Sequence, residues 1–222
     1  MDVLPLVFTS GWASGVNAYV VVLLLGLFGM TGVSDDIPQT LQRPEVLITA
    51  GVLFLCEAVA DKIPYVDSVW DSVHTVVRPL AGAWIGALLA GQSGSVSDVA
   101  AGLLGGSTAL ASHTVKAGTR MAVNTSPEPF SNFVLSFAED LGVGGVVSLA
   151  MFHPEAAAII AGVLLVSGLA VLWFLASRVR RFLRRRAQRR EERRLASRRS
   201  GQHDPHPQPR QHEPPGPPGP PA

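Results

Sequence analysis

Apolar residues along this chain fall in long blocks, without the two-residue alternation of a half-buried strand or the narrow stripe of a soluble helix. A helix needs about 20 mostly apolar residues to cross a bilayer core. Six stretches approach that length: Trp12 to Val33, Pro44 to Ile63, Asp67 to Ala90, Val96 to Ala117, Phe130 to Met151 and Pro154 to Ser177. A short apolar piece, Val3 to Phe8, precedes the first. The breaks are chemically sensible. Pro38 and Pro44 bracket the first loop, Pro64 ends the second stretch, and Pro127 and Pro129 precede the fifth. Pro154 sits where a helix tolerates proline best, in its first turn. The polar run GQSGSVS, Gly91 to Ser97, reads as a turn, with Ser97 and Asp98 opening the fourth stretch. The predicted fold is therefore all-α: a polytopic membrane helix bundle of about six transmembrane helices.

Polar residues interrupt these blocks in a few places, and there the chain is most informative. Charge at membrane depth is costly, so ionisable side chains there face a bundle interior and mark a functional site by default. The segment EAVADKIPYVDSVWDSVHTVVRP, Glu57 to Pro79, joins two apolar stretches and carries seven ionisable residues. In the third stretch Asp67, Asp71, His74 and Arg78 are spaced four, three and four apart, which places them on one helical face. Such a stripe can relay protons, hold a cation or clasp an anionic head group. Two acids in a first turn also suit the helix dipole, and Arg78 can simply pair with a carboxylate. Glu57 and Asp61 share a face of the second stretch. Asp61 and Lys62 are expected at the membrane boundary, where solvation explains them. Glu57 lies a turn deeper, with Arg78 or His113 as its expected partner.

His113, Lys116 and Arg120 share one face of the fourth stretch, where Lys116 and Arg120 can instead snorkel to the surface. Glu139 and Asp140 lie mid-span in the fifth, about 100° apart, so one is expected to face the interior and the other a neighbouring helix. Asn17 reads as glue between helices. The candidate polar-interior residues are thus Glu57, Asp61, Asp67, Asp71, His74, Arg78, His113, Lys116, Glu139 and Asp140.

Charge adds topology. Residues 1–177 hold five basic and thirteen acidic residues, whereas residues 178–222 hold thirteen arginines and four acids. This predicts a transmembrane helical domain (1–177), a basic cytoplasmic juxtamembrane helix (178–199) and a disordered Pro-rich tail (200–222). With six spans and basic short loops inside, both termini face the cytoplasm of a cell or inner membrane. Expected partners are the bilayer itself and anionic lipid head groups at the arginines. Nucleic acid is not expected, because aromatics are nearly absent from the tail. Small-xxx-small spacings, Gly11 to Gly15, Gly82 to Gly86 and Gly102 to Gly106, predict close helix packing and leave homo-oligomerisation open.

A faint echo between Glu57/Asp61 and Glu139/Asp140, and between SGWASGVNAY and GGSTALASHTVKAGTR, suggests two inverted three-helix repeats, a common transporter plan. The single Cys56 excludes an internal disulfide and reads as a small buried hydrophobe. No cleavable signal peptide is expected, since a basic n-region is missing. Asp67, Asp71, His74 and His113 are metal-ligand types, but their spacing matches no closed motif, so no cofactor is assigned and any metal is unknown. No phosphate loop, serine-hydrolase elbow or zinc-protease motif occurs.

SGWASGVNAYVVVLLLGL, EAVADKIPYVDSVWDSVHTVVRPLAGA, ASHTVKAGTRMAVNTSPEPFSNF and SFAED together resemble an uncharacterised prokaryotic multi-spanning membrane protein family, domain of unknown function four-one-two-six. The resemblance covers roughly residues 5–175. It implies a multi-spanning domain of about this length and no established reaction, substrate or catalytic residue. The expectation for function is transport of a small solute or ion through a polar, proton-coupled interior. The alternatives are a scaffold acting through the basic tail, and a metal-dependent enzyme acting on a lipid or isoprenoid phosphate. For the latter, Asp67-x-x-x-Asp71 is similar to the magnesium-binding acids of lipid-handling membrane enzymes, without the rest of their signature.

Overall fold

The computed structural model describes residues 3–63, 65–93, 97–123 and 129–201. Pro64, Pro127, the middle of the Gly91–Ser97 turn and most of the expected disordered tail lie outside these residues. Six helices follow one another: α1 (Val3–Met30), α2 (Pro44–Ala60), α3 (Val66–Ser93), α4 (Asp98–Val123), α5 (Pro129–Phe152) and α6 (Pro154–Gly201). No strand occurs among the described residues. The chain divides into two compact units, Met1–Phe174 and Leu175–Ala222. In the second unit the described residues are helical, rich in arginine and mostly exposed where their side chains are described, and Arg186 stacks over the Phe182 ring at 4.5 Å.

Among the described residues four helical segments are long and apolar enough to cross a membrane: Val3–Met30, Val66–Ser93, Phe133–Phe152 and Pro154–Gln188. α2 is only 17 residues long. α4 is less apolar, and Thr108, Ser112, His113, Lys116 and Arg120 lie on its buried side. The distribution of polarity is inverted relative to a soluble protein. Ile48, Leu55, Val76, Leu103, Leu141 and Val163 are exposed, while Glu57, Arg78 and Arg120 are buried. A large apolar exterior would aggregate in water and suits lipid. The chain is a helical membrane protein.

Within the first unit, α1, α3 and α4 pack most extensively on one another, and α5 leans mainly on α1. Glycine sets the closeness. A Cβ placed on Gly82 would lie 2.7 Å from the Gly105 carbonyl oxygen, and one on Gly86 would lie 2.6 Å from the Ala101 carbonyl oxygen. Gly11 of α1 makes the same kind of approach, 2.6 Å from the Gly105 oxygen. The small-residue spacings in the sequence are thus backbone-on-backbone crossings, which supply packing where lipid gives no hydrophobic drive.

Ends match their chemistry. α2 and α6 open on Pro44 and Pro154. α4 opens at Asp98, with the Ser97 hydroxyl accepting from the Ala100 amide at 3.2 Å. Cys56 is exposed, which corrects its reading as a buried residue. α2 buries only Ala50, Glu57 and Ala60. Cys56, next to Glu57, is turned about 100° away from that narrow inner face.

α1 differs most from the expected span. It includes Val3–Phe8 in one continuous element, but its backbone leaves the helix at Asn17 (φ −151°, ψ 96°). The result is two half-helices that meet in the interior of the bundle.

Candidate functional site

The break at Asn17 exposes backbone groups that a continuous helix would satisfy. The half-helix before the break ends with carbonyls facing α3 and α4. The Lys116 ammonium donates to the Val16 carbonyl at 2.8 Å, the Arg78 guanidinium reaches the Gly15 carbonyl at 3.4 Å, and the Ser112 hydroxyl donates to the Trp12 carbonyl at 2.6 Å. Cations at a helix C-terminus also complement its dipole. The half-helix after the break is capped by Asn17 itself, whose Oδ1 accepts from the Val20 amide at 3.1 Å. The Asn17 Nδ2 donates to Asp140 Oδ1 at 2.9 Å, so an acid sits at the positive end.

Around this break the charged residues join into one ladder of alternating sign. Arg78 pairs with Asp71 at 3.2 Å and with Glu57 at 2.7 Å. Lys116 pairs with Glu57 and Asp61, each at 3.0 Å, and lies 3.6 Å from Glu139. Arg120 pairs with Asp61 and Glu139, each at 2.8 Å, and also donates to the Asp61 backbone carbonyl at 2.7 Å. The ladder runs Asp71, Arg78, Glu57, Lys116, Asp61, Arg120, Glu139 and ties α2, α3, α4 and α5 together. All its members are buried except Glu139, whose side chain is 14% exposed. Its four carboxylates face three cations. Glu57 Oε2 and Asp61 Oδ1 are buried with no hydrogen-bond partner among the described residues.

Two histidines flank the ladder in unlike states, and the hydrogen bonds assign their tautomers. Arg78 can only donate, so at 2.7 Å it makes His113 Nδ1 an acceptor. His113 Nε2 then carries the proton and donates to the Thr75 hydroxyl at 3.1 Å, which donates to the Asp71 carbonyl at 3.0 Å. His113 is thereby held neutral, since a proton on Nδ1 would face the guanidinium. His74 is bound differently. Its Nδ1 donates to the Trp70 carbonyl at 2.8 Å, leaving Nε2 to accept from the Tyr19 hydroxyl at 2.9 Å. The His74 ring is stacked on Trp70 at 4.8 Å, and Tyr19 meets it edge-on at 5.7 Å.

Eight of the ten candidates, Glu57, Asp61, Asp71, Arg78, His113, Lys116, Glu139 and Asp140, thus meet at the ladder, its flanking histidine or the α1 break. His74 approaches from the Tyr19 side. Asp67 stands apart: it is buried at the start of α3 and accepts from the Ser68 amide at 2.6 Å. Two expectations need correction. Asp61 is buried rather than solvated at a boundary, because Lys116 and Arg120 reach it from α4. Lys116 and Arg120 are themselves buried rather than snorkelling, held by acids on α2 and α5. Lys62 does face outward, its ammonium donating to the Ala58 carbonyl at 2.6 Å. Glu57 takes Arg78, not His113, as its partner.

Sequence reasoning passed over Tyr19, Thr75 and Ser112. Their signal was slight: uncharged hydroxyls, with Thr75 and Ser112 adjoining the candidates His74 and His113, and Tyr19 two residues beyond Asn17 on a helix that carries no candidate. Among the described residues no three His, Cys, Asp or Glu side chains are grouped to hold a metal ion.

A multi-helix membrane domain organised around a buried ion ladder and a broken first helix is the class that fold and site define. The chain belongs to the family described as Domain of unknown function (DUF4126), whose model matches residues 4–174. No curated protein and no solved structure matches it.

Proposed function

We propose that this protein transports a small solute or ion across a cell membrane, with proton movement coupled through the ladder. The observation that carries the reading is the meeting of the broken α1 with a charge ladder that has one carboxylate more than its cations. Half-helix ends in a bundle interior, with acids and cations turned toward them, are how discontinuous helices build substrate and ion sites. A brace alone has little need of this chemistry, because well-packed apolar residues often replace buried ion pairs at no loss of stability. The surplus negative charge calls for a proton or a cation, and the free oxygens on Glu57 and Asp61 are places to receive one. The meeting of Glu57 and Asp61 from α2 with Glu139 from α5 also favours the two-repeat reading, in which equivalent acids converge.

The basic part of α6 fits a position beside anionic lipid on the cytoplasmic side, in keeping with the bias of basic residues from which both termini are read as cytoplasmic. The lipid-phosphate enzyme reading is less favoured, since Asp71, one of its two acids, is held by Arg78.

The test is flux in proteoliposomes under an imposed pH gradient, with a panel of inorganic and organic ions and a pH-sensitive dye inside. Wild-type protein is expected to move protons with one member of the panel. Glu57→Gln and Lys116→Met should abolish that movement. Absence of flux across the panel, joined to unchanged growth of cells carrying Glu57→Gln or Glu139→Gln, overturns the reading.

A further inference from the structure

A cavity of about 310 Å³ lies between α1, α4, α5 and α6, beside the last member of the ladder. It has room for about ten water-sized groups. Most of its wall is apolar, including Trp12, Val143, Leu164 and Leu165, and its polar wall is formed chiefly by Lys116 and Glu139. These two polar groups are not equally available. The three N–H bonds of Lys116 are taken by the Val16 carbonyl at 2.8 Å and by Glu57 and Asp61 at 3.0 Å each. Glu139 receives Arg120 and Lys116 on Oε2 alone. Its Oε1 has no hydrogen-bond partner among the described residues, and Glu139 is the most exposed side chain of the ladder. Glu139 is therefore the one carboxylate on the lining of a mostly apolar, half-open cavity, next to a ladder with surplus negative charge.

We propose that this cavity is a binding site for a small amphiphilic cation, an alkylammonium in its simplest form. The ammonium would sit on Glu139 Oε1, and the hydrocarbon would lie among Trp12, Val143, Leu164 and Leu165. Charge decides the class. An alkanoate would bring a second carboxylate against Glu139, and a neutral alcohol would leave the surplus charge unbalanced in a low-dielectric wall. The indole of Trp12 adds a face that favours a cation. The inference rests on the transport reading only for its consequence, since it names what the transport site would receive. Binding itself can be measured whether or not anything crosses the membrane.

Octylammonium, octanol and octanoate share one chain length and differ in head-group charge. They are to be titrated calorimetrically into the full chain in phosphatidylcholine nanodiscs, with empty discs subtracted. Saturable binding is expected for octylammonium, at least about tenfold tighter than for either of the others. Glu139→Gln should weaken it by about tenfold or more, by loss of a charge-assisted bond. Gly142 lines the same cavity, and a Cβ there would meet nothing within 4 Å. Gly142→Leu therefore fills the chamber without disturbing the ladder and should abolish saturable binding, which keeps the test decisive if Glu139→Gln fails to fold. Equal or tighter binding of octanol or octanoate, or wild-type affinity in Gly142→Leu, overturns the proposal. Octylammonium binding without flux would sink the transport reading and leave the site standing; flux without octylammonium binding would do the reverse.

Discussion

α3 and α4 pack on each other in two ways along their length. Around Gly82, Gly86 and Gly105 the helices touch backbone to backbone, with no room for a methyl group. From Arg78 back to Asp71, and from His113 on to Arg120, the space between the helices is filled by charged and imidazole side chains that reach to α1, α2 and α5. The difference shows how a membrane bundle keeps charge inside. The glycine segment supplies dispersion contact and fixes the crossing, because lipid tails are as apolar as the helices and give no drive for association. The charged segment then has a rigid frame in which every cation faces at least two carboxylates, although Arg78 Nε and Arg120 Nε have no hydrogen-bond partner among the described residues. Buried charge is tolerated only when so matched.

The comparison can be broken most severely at Arg78. Arg78→Met leaves Glu57 and Asp71 buried without that partner and should destabilise the protein by about 3–5 kcal/mol, seen as loss of the folded fraction in detergent unfolding titrations. Arg78→Lys should rescue little, since an ammonium cannot span Glu57, Asp71 and His113 as a planar fork does. Next comes the glycine segment. Gly82→Leu should cost at least about 1–3 kcal/mol by overpacking. Gly144→Ala on α5, where a Cβ meets nothing within 4 Å, should be neutral or stabilise by roughly 0.5–1 kcal/mol through helix propensity. Equal effects at the two glycines, in the same titrations, would remove the distinction between tight and loose crossings.

A cost no larger than that at Gly82 is expected at the helix break. Asn17→Ala removes the cap on Val20 and the donor to Asp140, and should cost about 1–3 kcal/mol. If the unfolding midpoint instead rises, α1 prefers to be continuous and the break is strained. The smallest effect is expected at Cys56. Cys56→Ser should lie within about 0.5 kcal/mol of wild type, and a membrane-permeant maleimide should label Cys56 in the folded protein. Protection from that reagent would place Cys56 in an interface.

Much of the fold was legible before any coordinates. Apolar blocks of spanning length, prolines between them and small-xxx-small spacings led to six helices in a close bundle. The face-sharing residues of α3 and α4, read from steps of three and four, are the residues that point inward. The misreadings at Asp61, Lys116 and Arg120 share one cause. Each lies near the end of its apolar stretch, where hydropathy alone assigns it to water or head groups. Its burial depends on partners that are 19 to 59 positions away in the chain. Cys56 was misread for the converse reason: apolar neighbours in sequence do not say which side of α2 has a protein neighbour.

The amino-acid sequence by itself determined the helical class, the approximate ends of its helices and the set of ionisable residues that lipid would not tolerate outside, because these follow from local periodicity and the cost of desolvating charge. Tertiary structure decided which acid meets which cation, that His113 carries its proton on Nε2 while His74 carries it on Nδ1, and that α1 breaks at Asn17. Those outcomes depend on through-space distances of about 3 Å between groups on different helices, and local sequence does not encode such distances.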